Sequence, residues 1–95
     1  MFYFLVRHRV QNFDSWKRVY DEHAPARAKA GLRELQLLRT TDDANDLVIL
    51  FEAEDLKKAH AFRNSQELRE AMQKAGVMGT PEFLELQPAQ AAVHR

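Results

Sequence analysis

LRELQLLRTTDDANDLVILFEAE, residues 32–54, is the stretch that decides the architecture. Residues 32–40 alternate apolar and polar side chains. Residues 47–54 open with an unbroken run of Leu, Val, Ile and Phe. Both patterns predict strands. Between them, TDDAND (residues 41–46) is turn chemistry, and so short a connection makes the two strands an antiparallel hairpin.

The elements on either side follow from the same kind of pattern. Upstream, FYFLVRHRV (residues 2–10) is aromatic and β-branched and predicts a strand. Asn12 or Asp14 is placed to cap a helix on whose inner stripe Trp16, Val19, Tyr20 and His23 recur at i, i+3, i+4 and i+7. Pro25 has no amide hydrogen and disfavours helical geometry at Ala24, so the helix kinks or restarts there, and Gly31 closes it. Downstream, Asp55 caps a helix over residues 56–64, and Ser65 caps another over 66–75 that Gly76 ends. Residues 77–81 read as a loop and 82–87 as a fourth strand. The order is β-α-β-β-α-β, a ferredoxin-like α+β fold over residues 1–88 with a C-terminal tail at 89–95. A sheet ordered 4-1-3-2 makes every neighbour antiparallel and puts the helices on one face.

Side-chain alternation then divides the sheet. Phe4, Val6, His8, Val10, Leu35, Leu37, Val48, Leu50, Glu52, Leu84 and Leu86 are expected to face the helices. Tyr3, Leu5, Arg7, Arg9, Glu34, Ile49, Phe51, Phe83 and Glu85 are expected on the face that no helix can cover. Left bare, their apolar members make a large greasy patch. The expected partner is a second copy of the chain, joined face to face, with Arg7 and Arg9 meeting Glu34 and Glu85.

The composition narrows the function. Fourteen basic residues balance fourteen acidic ones, so no long-range field favours nucleic acid. No segment approaches the roughly 20 apolar residues of a membrane span, and the opening MFYFLV is too short and wrongly flanked for a secretory signal. A cytoplasmic protein is the expectation. There is no cysteine, which removes disulfides, thiolate nucleophiles and thiolate metal sites together. Ser15 and Ser65 stand at helix starts, where capping accounts for them.

Among polar side chains, His8 and His23 face inward. His8 lies near the end of the first strand, close to where the first helix starts, and His23 lies about nine residues beyond Asp14 on that helix, roughly 13 Å along its axis at 1.5 Å per residue, so the histidines do not converge on a metal ion. His60 and His94 read as solvated. Glu52 is the one carboxylate expected on the inner face and should lie toward the same end as His23. An imidazole held by a carboxylate is a plausible general base; the same pair also serves as a satisfied structural contact in a small core. Trp16 and Tyr20 either wall a ligand or form the core face of their helix. Candidate catalytic residues are therefore His23 and Glu52. Candidate ligand-binding residues are Trp16, Tyr20, His8, Phe4 and Leu50. No metal or cofactor is expected.

The element order, FDSW (residues 13–16) opening the first helix, and SQELREAMQKAGVMGTPE (residues 65–82) before the last strand resemble the dimeric α+β barrel superfamily. The closest likeness is to the antibiotic-biosynthesis-monooxygenase-like branch and its small bacterial relatives labelled cyclases. That resemblance implies dimerisation through the open sheet face and a pocket between helices and sheet within each subunit. The activity it implies is cofactor-free oxygenation or isomerisation of an aromatic or polyketide-like substrate. A non-catalytic dimeric ligand-binding or stress-response module is the alternative.

Overall fold

The computed structural model describes residues 2–90; the last residues of the tail, His94 among them, lie outside that range. Strand β1 (Phe2–Val10) leads into helices α1 (Phe13–Glu22) and α2 (Ala24–Lys29). The hairpin β2 (Leu32–Arg39) and β3 (Asp46–Ala53) follows, then α3 (Leu56–Arg63), α4 (Gln66–Lys74) and β4 (Val77–Leu86). The sheet runs β2-β3-β1-β4, antiparallel throughout, as the strand pattern predicts.

Local chemistry sets the boundaries. The Asn12 side chain accepts a hydrogen bond from the Ser15 amide at 3.0 Å and so caps α1. Asp55 and Ser65 cap α3 and α4 in the same way. The predicted break at Pro25 is present: α1 stops at Glu22, and α2 starts with proline in its first turn, where the missing N–H costs nothing. Gly31 then turns the chain with φ +74, a conformation that side chains with a Cβ resist. Among the described residues, no helix is long and apolar enough to cross a membrane.

The core lies between the helices and one sheet face. Phe4, Val6, His8 and Val10 of β1 point into it, as their alternation predicts. On β3, however, the inward residues are Leu47, Ile49, Phe51 and Ala53, and on β4 they are Phe83 and Glu85. Ile49, Phe51, Phe83 and Glu85 therefore leave the expected open face, while Val48, Leu50, Glu52, Leu84 and Leu86 join it. Both alternating sets of LVILF are apolar, so hydropathy has no purchase there; pairing with β1, which sets Phe51 beside Phe4 and Ile49 beside Val6, decides.

Glu34 also moves to the helix side, where it accepts the Tyr20 hydroxyl at 2.7 Å. The cause is a one-residue bulge between Glu34 and Gln36 that reverses the alternation of β2 partway along. Finally, β4 begins at Val77, well before residue 82. It carries an irregularity in which His8 on β1 faces Gly79, Thr80 and Pro81, between the Arg9–Met78 and Arg7–Glu82 pairs. Two extra residues leave the alternation of β4 intact.

Candidate functional site

A cavity opens between the inner sheet face and α1, α3 and α4. Phe4, Val6 and His8 of β1, Ile49 and Phe51 of β3, and Phe83 of β4 form its floor. Trp16, Val19, Tyr20 and His23 line one wall, and Phe62, Leu68, Ala71 and Met72 line the other. Its volume is about 50 Å³, and it is open to solvent on one side. Five of the residues expected at a site meet here: Phe4, His8, Trp16, Tyr20 and His23. Leu50 and Glu52 do not, because the alternation of β3 turns them to the open face. There the Arg33 guanidinium donates to Glu52 at 3.0 Å. The expected His23–Glu52 pair is not formed.

His8, His23, Tyr20 and Arg27 are the polar residues that line this cavity, and the two histidines carry its unpartnered buried nitrogens. His8 is buried, 6% exposed, and neither ring nitrogen has a hydrogen-bond partner among the described residues. Its ring meets Trp16 edge-on at 5.7 Å. Burial pushes its pKa down to about 4, opposed by the negative charge of Asp46. At neutral pH His8 is therefore an uncharged imidazole with one donor and one acceptor nitrogen. His23 stands where α1 ends and packs against Phe62 at 5.9 Å; its Nε2 is likewise buried and without a partner. Burial, then the positive charge of Arg27, lowers its pKa as well. A buried polar atom left unsatisfied costs roughly 1–3 kcal/mol, so three such nitrogens on one cavity are an unusual concentration.

The aromatic wall is built differently from the expected stacking platform. Trp16 and Tyr20 stack on each other at 4.6 Å. The Arg27 guanidinium lies 3.6 Å over the Tyr20 ring and donates to the Tyr20 carbonyl at 2.7 Å. Tyr20 thus presents an edge to the cavity, and both of its ring faces are taken. Burial and its bond to Glu34 raise the Tyr20 pKa, which keeps the phenol neutral. Sequence reasoning missed Arg27, Phe62 and Phe83. Arg27 carried a signal: it sits seven residues after Tyr20 and four after His23, on the same stripe once α2 continues the direction of α1. Phe62 and Phe83 become legible only when the strand and helix registers are known.

Among the described residues, no three histidine, aspartate or glutamate side chains gather as a metal site would need. His60 is exposed, as expected, but not simply solvated. Its Nδ1 lies 2.8 Å from Glu85 Oε2, which Arg63 also reaches at 3.1 Å.

The neutral state of His8 predicts acid sensitivity. Once unfolded, His8 takes up a proton below its ordinary pKa of 6.5, whereas in the fold it resists down to about 4. Stability is therefore expected to fall as the pH drops through that window, by about 3 kcal/mol in all at about 1.4 kcal/mol per pH unit. His23 adds to the slope in the same direction, and Asp46, held low by its bonds to Arg7, contributes only further down. Urea unfolding at pH 7.5 and 5.0 checks this; in a His8→Leu variant most of the slope should vanish.

No protein-family model matches the chain, and no curated protein matches it. Solved structures do. The cofactor-independent oxygenase SnoaB from Streptomyces nogalater is similar with TM-score 0.72 and 20% identity, over 95% of this chain and 94% of that one. A protein of Bordetella bronchiseptica provisionally described as an antibiotic biosynthesis monooxygenase is similar with TM-score 0.73 and 15% identity, over 94% and 97%. An uncharacterized NIPSNAP domain protein from Burkholderia xenovorans follows with TM-score 0.64 and 13% identity, over 99% and 100%. The ferredoxin-like fold read from the strand pattern is the fold of these proteins.

Proposed function

We propose that the chain works as a homodimer, closed sheet against sheet, whose subunits each bind a small, largely apolar aromatic molecule between the helices and the sheet. On that molecule it acts as a cofactor-free monooxygenase. One observation carries the binding: an apolar cavity bordered by the buried His8 and the half-buried His23, with both His8 ring nitrogens and His23 Nε2 buried and without a partner among the described residues. The likeness of fold to the Streptomyces nogalater oxygenase supports the reaction class.

The chemistry asks little of the protein. His23 Nε2, unprotonated at neutral pH, accepts the proton of an aromatic hydroxyl. The electron-rich ring that results reacts with dioxygen. One oxygen atom enters at a ring C–H and the other leaves as water with two hydrogens, so a phenol and one dioxygen give a quinone and one water. Apolar walls exclude bulk water and leave the ring open to dioxygen.

A second reading, a non-catalytic dimeric ligand-binding module, is favoured by the loss of the expected partner of His23, since Glu52 is bound to Arg33 on the other face. An oxygen electrode separates the two. Over a panel of phenols and quinols, the enzyme reading expects one dioxygen consumed per quinone formed, at a rate that a metal chelator leaves unchanged. A ligand that raises the melting point without oxygen uptake favours the module. Uptake abolished by the chelator overturns the cofactor-free mechanism.

A further inference from the structure

Resting on the ligand-binding reading, the space beside the cavity narrows what the ligand carries. The cavity, at about 50 Å³, is small beside the 150 Å³ or so that holds benzene in an engineered protein interior. A whole ligand needs more room. A groove of about 690 Å³ runs between α4 and β4, within the roughly 300–1,000 Å³ of small-molecule sites. Leu68, Met72 and Phe83 line both spaces. Met72 and Phe83 are half-buried, so this shared wall has surface outside as well as inside.

The groove differs from the cavity in charge. Its floor is apolar, with Leu68, Met72, Val77 and Phe83, and its charged lining residues are Arg63, Arg69 and Glu70. Two guanidiniums thus meet one carboxylate. The groove on the other side of the helices is balanced, with Lys29 and Lys58 against Glu22 and Glu67. Arg63 is held in place. It donates to Glu85 Oε2 at 3.1 Å, an oxygen that His60 Nδ1 also approaches at 2.8 Å. Its guanidinium stands 5.3 Å over the ring of Phe83. Glu85 and Phe83 therefore fix the head of Arg63 beside the wall that groove and cavity share. Its fork has five N–H donors, and a fixed fork matches a carboxylate with little further loss of freedom. Glu85 offsets part of the Arg63 charge, and the exposed Arg69 adds a second positive charge on the lining.

We propose that the ligand is an aromatic acid. Its ring lies against Phe83, Met72 and Leu68 with its leading edge in the cavity. Its carboxylate stays in the groove, where Arg63 donates to it and Arg69 attracts it. The molecule is apolar at the end that leaves water and anionic at the end that does not.

The full-length protein at pH 7.5 and low salt is titrated calorimetrically with 4-phenylbutanoate, its amide and 4-phenylbutylamine. The emission of Trp16, the only tryptophan of the chain and a cavity residue, is recorded alongside. The acid is expected to bind about tenfold more tightly than the amide and the amine, because charge-assisted hydrogen bonds are the stronger kind. Arg63→Gln should cost the acid about tenfold and the exposed Arg69→Gln about threefold, each leaving the amide unchanged. The comparison among ligands on the unaltered protein stands even if Arg63→Gln folds poorly. Equal binding of acid and amide, tightest binding of the amine, or a folded Arg63→Gln variant that still prefers the acid in full overturns the proposal while leaving a ligand site. Binding of the acid without a change in Trp16 emission overturns the seat across the shared wall. If none of the three binds, the ligand-binding reading falls as well.

Discussion

Replacing His23 by phenylalanine is expected to slow dioxygen uptake by about two to four orders of magnitude, the range over which a positioned proton acceptor acts. Phenylalanine keeps a flat ring against Phe62, so the wall of the cavity survives and only the nitrogen is lost. His23 also lies on the helix side of the sheet, so the assembly should be unaffected. The loss belongs in kcat more than in KM, because the apolar walls still hold the substrate. The pH profile gives a second readout. Burial, then Arg27, holds the His23 pKa below its ordinary 6.5. Activity of the unaltered protein should therefore persist somewhat below pH 6.5 and then decline as the imidazole is protonated, whereas the variant's residual rate should lack that limb. A variant with the unaltered rate on a true substrate removes His23 from the chemistry.

How much of this was legible differs from element to element. The order of strands and helices, the caps at Asn12, Asp55 and Ser65, and the restart at Pro25 all follow from single residues with strong local preferences. The alternation of β1 was legible too, because Arg7 and Arg9 mark its wet face without ambiguity. On β3 the two alternating sets are both greasy. Glu52 held the only hint, since an unpaired carboxylate belongs on the face where Arg33 reaches it, and only the pairing with β1 brings that out. The bulge in β2 has no glycine to announce it, so Glu34 changes sides unheralded. At the site, His8, Trp16, Tyr20 and His23 were found because helix periodicity and one well-marked strand are enough to find them. The supposed carboxylate partner of His23 failed along with the alternation of β3.

That misassigned alternation leaves the argument for a partner intact, because the true open face is also apolar. Across its centre run Leu84, Leu5 and Leu50 in register, flanked by Leu86 and Tyr3 on one side and by Val48 and Leu38 on the other. Leu84 is 50% exposed and Leu38 48%, far more than such side chains tolerate in water without cost. Burying each is worth roughly 1.5–3 kcal/mol before association costs. Arg7 with Asp46 and Arg33 with Glu52 form ion pairs on this face.

The double variant Leu50→Glu with Leu84→Glu sets two carboxylates beside Leu5 and, in a face-to-face dimer, against those of the other copy. An uncompensated charge buried at an interface costs several kcal/mol, so the dimer should weaken by about a thousandfold or more. The subunit itself should fold, since both positions are already partly wet in it, and far-UV circular dichroism checks that. Sedimentation at micromolar concentration is expected to find twice 11.1 kDa for the unaltered chain and 11.1 kDa for the variant. An unaltered chain that sediments as a monomer across that range, or a folded variant that still pairs, would mean that water, and not a second copy, covers the leucines.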